Sequence, residues 1–96
     1  MAKITTILQT PSFKKAVKKL HKNQKMELDN AVKKLIENPL LGEQKKGDLI
    51  FLRVYKFKML KQLTLLGYSY EDGTVTLELI ALDSHENFYR DVKKSR

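Results

Sequence analysis

LIFLRVYKFK (residues 49–58), KQLTLLGYSY (61–70) and TVTLELIAL (74–82) decide the fold. Each run is rich in β-branched and aromatic residues, the types that suit a pleated surface. In the third, Val75, Leu77 and Leu79 alternate with Thr76 and Glu78, the period of a half-buried strand. A turn is expected near Met59-Leu60. Glu71-Asp72-Gly73 supplies the next one, because an Asp-Gly pair adopts positive φ at little cost. Strands joined this closely pair as an antiparallel meander.

Upstream, Lys3 to Leu8 (KITTIL) reads as a short strand. Thr10-Pro11 then marks a helix start, with Thr10 as N-cap and Pro11 at the first helical position. Phe13, Ala16, Val17 and Leu20 fall on one helical face; Lys14, Lys15, Lys18, Lys19 and Lys22 fall on the other. His21-Lys22-Asn23 is a turn, with Asn23 expected to cap a second helix. That helix buries Leu28, Ala31, Val32, Leu35 and Ile36, and ends at Asn38-Pro39, since proline cannot continue it. So short a connection predicts an antiparallel helical hairpin. Residues 41–48 (LGEQKKGD) read as a loop with two glycines. Downstream, Asp83 with Glu86 three residues on resembles a capping box, and a helix over 84–94 is expected. The order β-α-α-β-β-β-α gives an α+β domain over residues 1–96, with the hairpin packed on one face of an antiparallel sheet. The other face is expected to be partly open.

Length and charge bound the function. Ninety-six residues allow a single core. Lys and Arg number 19 against 11 Asp and Glu, a net charge of +8 that favours a polyanionic partner. There is no Cys, which excludes disulfides and thiolate chemistry. His21 and His85 have no spaced partner, so no metal site is expected. MAKITTILQT lacks the apolar core of a signal peptide, and no run approaches a membrane span, so a soluble cytoplasmic protein without a membrane partner is expected.

The cations cluster late in the chain: Lys45 and Lys46 in the loop, Arg53, Lys56, Lys58 and Lys61 in the meander, Arg90, Lys93 and Lys94 near the end. Tyr55, Phe57, Tyr68, Tyr70, Phe88 and Tyr89 lie among them. Cations for phosphates and rings for unstacked bases are what single-stranded RNA binding uses; a solvated basic face over an aromatic core is the plain alternative. DSHENFYR (83–90) gathers an imidazole, carboxylates, a phenol and a guanidinium at one expected helix start. There His85 would feel the helix dipole against any bound phosphate, a balance suited to general acid–base work; a surface histidine beside an N-cap is the alternative.

The short first strand, the lysine-rich hairpin ending in IENPLLGEQKKGDL, the strand FLRVYKFK and the closing LIALDSHENFYRDVKK together resemble the RelE/ParE superfamily of toxins from type II bacterial toxin–antitoxin modules. The ending is similar to the His-x-x-x-aromatic close of YafQ-like members, with His85 and Tyr89 in those places. The resemblance implies a layout like the microbial ribonucleases and a ribosome-dependent mRNA endonuclease that inhibits translation without metal or other cofactor. Its implied partners are a cognate antitoxin, the ribosome and mRNA, with operator DNA reached only through the antitoxin complex. Carried over, His85 would be the acid or base at the leaving group, and Arg53 would stabilise the charged transition state. Tyr89 would stack on or orient a base, and Lys45, Lys46, Lys56, Lys58, Lys61 and Arg90 would hold RNA. Many RelE-like members carry an Arg in the second meander strand. Here that stretch is KQLTL (61–65), with Lys61 the one cation to replace it. The ParE branch, a gyrase inhibitor without nuclease chemistry, and a silent relic that only binds antitoxin are the alternatives.

Val32 and Leu77 are assigned to the core. Val32→Asp or Leu77→Asp is therefore expected to abolish the cooperative thermal transition, because each buries an unpaired charge.

Overall fold

The computed structural model describes residues 4–71 and 76–84. In chain order these form β1 (Thr6–Gln9), α1 (Pro11–Lys18), α2 (Lys22–Glu37), β2 (Glu43–Gln44), a 3-10 turn (Gly47–Leu49), β3 (Arg53–Met59), β4 (Gln62–Ser69) and β5 (Thr76–Ser84). The two helices pack on a five-stranded sheet of order β1-β5-β4-β3-β2.

Thr10 opens α1 as expected: its hydroxyl accepts from the Phe13 N–H at 3.1 Å, and Pro11 stands at the helix start. His21, not Asn23, is the N-cap of α2. The reason lies three residues on, where the Gln24 side-chain oxygen accepts the His21 N–H at 2.8 Å. That bond fixes the entry and draws Asn23 into the first turn. α2 ends at Asn38 before Pro39, as expected.

The sheet differs from a plain antiparallel one. β3, β4 and β5 form the meander, but β1 lies parallel to β5, in register from Thr6 opposite Thr76 to Gln9 opposite Leu79. The loop read over 41–48 contains a strand, with Glu43 opposite Val54 and Gln44 opposite Arg53. β3 starts at Arg53 because Leu49 belongs to the 3-10 turn, whose carbonyl accepts the Leu52 N–H at 2.9 Å. β5 runs through Asp83 and Ser84, which pair with Leu65 and Thr64. Asp83 is therefore a strand residue and not a helix N-cap. The helix expected over 84–94 lies, beyond Ser84, outside the described residues.

A bulge shapes β5. Gly67 faces Ala81 while Tyr68 faces Leu79, leaving Ile80 as the extra residue. The Thr10 hydroxyl donates to the Ile80 carbonyl at this bulge. Thr10 thus ties the end of β1, the start of α1 and the bulge together.

Alternation sorts the side chains into two clusters. On the helix side, Phe13, Leu28 and Leu35 meet Met59, Leu66, Tyr68, Leu77 and Leu79, with Ala16, Val17, Leu20, Val32 and Ile36 packed against them. On the opposite side, Leu52, Val54, Leu65, Ile80 and Ala81 form a smaller cluster with Leu49 and Phe51. The bulge places Ile80 and Ala81 together on that side. Each fully buried Leu contributes roughly 1.5–3 kcal/mol through removal from water.

β3 and β4 close through Leu60 and Lys61, both left-handed at φ 50° and 73°. Two-residue hairpins prefer Asn-Gly in such positions, and side chains bearing Cβ are strained there. Leu60→Asn with Lys61→Gly is expected to stabilise the domain by about 1 kcal/mol, raising Tm by roughly 4–8 °C. Calorimetry of the double variant checks this.

Candidate nucleic-acid interface

The interface begins with the path of the chain after α2. Proline 39 ends the helix, and the chain must cross to β2 at the sheet edge. Tyr68, fully buried in β4, fixes that crossing. Its hydroxyl donates to the Pro39 carbonyl at 2.7 Å and accepts the Gly42 N–H at 2.8 Å. Only glycine fits at 42, since a Cβ there would sit 2.6 Å from the Tyr68 Oη. Burial pushes the Tyr68 phenol above its ordinary pKa, with the Gly42 bond and the Arg53 charge opposing. It therefore stays protonated through neutrality. Its contribution to stability is full below the ordinary tyrosine range and lost as pH rises through the raised value.

Arg53 completes the crossing from the other side. Its Nη1 donates to the Gly42 carbonyl at 2.7 Å and to the Leu40 carbonyl at 3.4 Å. It lines a cleft with Leu40, Ile50 and Tyr70. By alternation it shares the side of Tyr55 and Phe57, not that of Lys56 and Lys58.

Four of the expected RNA-holding lysines do gather. Glu43 is opposite Val54, so its side chain projects on the face of Val54, Lys56 and Lys58. The Lys45 N–H bonds the Leu52 carbonyl at 2.9 Å, holding the loop against β3. Lys46 precedes the 3-10 turn, which needs Gly47 at φ 66°. The Lys45 ammonium contacts Glu43 Oε1 at 2.9 Å. That hydrogen bond and the Lys45 charge hold the Glu43 carboxyl below the usual range, with smaller contributions from Lys56 and Lys46. Lys45 thus contacts the carboxylate directly, Lys56 shares its face of the sheet, and Lys46 is the next residue in the chain. Lys58 extends the row two residues, roughly 7 Å, toward the hairpin tip.

Other candidates fall elsewhere. Lys61 is in the turn, not on β4, at the end of the hairpin away from Arg53. The aromatics do not interleave with the lysines on one face. Tyr55 and Phe57 pack toward the helices and stack on each other with ring centres 5.9 Å apart, and Tyr68 is core. Alternation enforces this, since residues adjacent in a strand point oppositely. His85, Tyr89 and Arg90 lie outside the described residues. Neither Glu43 nor the Tyr68–Gly42 contact stands out in the sequence alone. The carboxylate before Gln44-Lys45-Lys46 was a visible signal once the loop is known to pair as a strand; nothing in the sequence links Tyr68 to Gly42.

A family model described as ParE-like toxin of type II bacterial toxin–antitoxin system matches residues 7–93. Similar solved structures include a mutant E. coli RelE toxin in the free state, at TM-score 0.71 and 18% identity over 99% of this chain and 94% of that one. The intact E. coli RelBE toxin–antitoxin complex is similar at 0.64 and 19%, over 82% and 94%. RelBE2 from Mycobacterium tuberculosis is similar at 0.63 and 19%, over 83% and 96%. No curated protein matches significantly in sequence. Among the described residues no helix is long and apolar enough to cross a membrane.

Tyr68→Phe leaves the Gly42 N–H and Pro39 carbonyl without their buried partner, and is expected to cost about 1–3 kcal/mol in denaturant unfolding.

Proposed function

We propose that this chain, which belongs to the ParE-like toxin family of type II bacterial toxin–antitoxin systems, acts on RNA as a ribosome-dependent mRNA endonuclease held silent by a cognate antitoxin. The observation that carries the proposal is the run of lysines at the β2–β3 edge: Lys45 paired with Glu43, Lys56 and Lys58 on the face that Glu43 shares, and Lys46 next to Lys45 in the chain. A row of ammonium groups along a strand matches the repeating charge of a phosphate backbone. The fold shared with RelE toxins supports the same direction.

The reaction needs no metal. The ribose 2′-oxygen attacks the adjacent phosphorus and loses its proton to a base. The bond from phosphorus to the 5′-oxygen breaks, and an acid protonates that oxygen. The product is a 2′,3′-cyclic phosphate. His85 serves as the acid or base at the leaving group. Lys45, Lys46, Lys56 and Lys58 hold the phosphates and offset the charge growing on the phosphoryl oxygens. Arg53, on the other side of the sheet, serves by holding the chain at Gly42 that leads to Lys45 and Lys46, and Tyr89 orients a base. Lys61 and Arg90 extend the basic track. The antitoxin contributes an acidic segment to the same cations, and its capture is accelerated by their field at low salt.

The ParE-like description of the family favours a second reading, a gyrase inhibitor without nuclease chemistry. The discriminating experiment is mRNA cleavage in a purified translation system, wild type beside His85→Ala, with ribosome-free RNA as control. Cuts that need the ribosome and fall about a hundred- to ten-thousandfold in the variant, at unchanged Tm, are expected. A folded wild type that arrests growth but leaves mRNA whole would move the target to gyrase.

A further inference from the structure

Glu43 is an acid placed where a basic surface would otherwise be uninterrupted. Its neighbours across β2 and β3 are the lysines assigned to phosphate. Its side chain is 74% exposed, whereas that of Lys45 beneath it is 21% exposed. An anion that pairs with Lys45 must compete with the Glu43 carboxylate already bound to it. The carboxylate lies 2.9 Å from the Lys45 ammonium, a distance at which a phosphate oxygen would also pair with it.

The pairing is not required by the fold. The edge strand is held by its ladder to β3 and by the Lys45 N–H bond to the Leu52 carbonyl. An exposed ion pair of this kind adds little stability. Gln at position 43 would keep the strand and much of the shape while removing the charge.

We infer that Glu43 is an internal competitor for the phosphate site, a residue that sets how tightly and how selectively the lysine face takes RNA. Resting on the RNA reading above, the inference assigns the site a defined threshold. A single phosphate must displace Glu43 from Lys45 to gain that contact. A continuous phosphate backbone engages Lys46, Lys56 and Lys58 at once, and the carboxylate swings aside at small cost. The pairing thus discriminates against isolated anions and leaves extended RNA as the ligand.

The test measures binding apart from cleavage. A short fluorescent 2′-O-methyl oligouridine, which lacks the attacking hydroxyl, is titrated against wild type, Glu43→Gln and Glu27→Gln across a salt series. Glu27 is exposed on α2, in the layer on the other side of the sheet, and its replacement changes net charge equally. Glu43→Gln is expected to bind on the order of fivefold tighter, the scale of one exposed ion pair. Its logarithmic salt slope is expected to stay near that of wild type, because the same lysines meet phosphate in both once the carboxylate has swung aside. Glu27→Gln is expected to stay near wild type. Equal changes in both variants would reduce the effect to net charge and overturn the inference. Unchanged or weaker binding by Glu43→Gln, or no binding by any form, would overturn it as well. Tighter binding by Glu43→Gln beside a wild type that cuts no mRNA on ribosomes would sustain the inference and remove the nuclease reading.

Discussion

One buried phenol holds the molecule in its working shape. Tyr68 stands in the central strand β4, and its hydroxyl joins the Pro39 carbonyl to the Gly42 N–H. Without it the chain leaving α2 would have two buried backbone groups and no partner for them. With it, the chain is delivered to the sheet edge at one point, and β2 pairs with β3 in one register. Arg53 clamps the same glycine through its carbonyl. The positions of Glu43, Lys45 and Lys46 follow from that delivery. A contact on the helix side of the sheet thus determines where charges appear on the opposite side.

The two sides of the sheet do different work. The helix side buries the large apolar residues of α1, α2 and three strands, and supplies most of the hydrophobic stabilisation. The opposite side carries a smaller cluster capped by Leu49 and Phe51 at the Arg53 end. Toward the hairpin tip it presents Lys56, Lys58 and Leu63 to solvent. Like charges along one strand repel, and Glu43 relieves part of that repulsion while narrowing access to Lys45. The tight turn at Leu60 and Lys61 adds local strain at the same end.

Much of this was legible where the signals are local. The apolar faces of both helices, the Thr10-Pro11 start and the Asn38-Pro39 stop depend on residues within a turn of one another. The three meander strands show in their composition. What needed the folded chain were features joining distant residues: the parallel pairing of β1 with β5, the two-residue β2, and the Tyr68–Gly42 contact across 26 positions. The bulge at Ile80 is stabilised by Thr10, 70 residues away. Asp83 looked like a helix cap because its local spacing to Glu86 is correct, yet pairing with Leu65 keeps it in β5. On the candidate site, clustering of the lysines was visible from the strand and loop they occupy. The acid among them was not, because the loop gave no sign of running beside β3.

The lysine face as an RNA surface is the central claim, and amide NMR tests it residue by residue. Isotope-labelled protein is titrated with a non-cleavable single-stranded RNA, and perturbed backbone amides are mapped. Shifts centred on Lys45, Lys46, Lys56 and Lys58 are the predicted result. Shifts confined to the lysines of α1 and α2, with the β2–β3 edge unmoved, would contradict it.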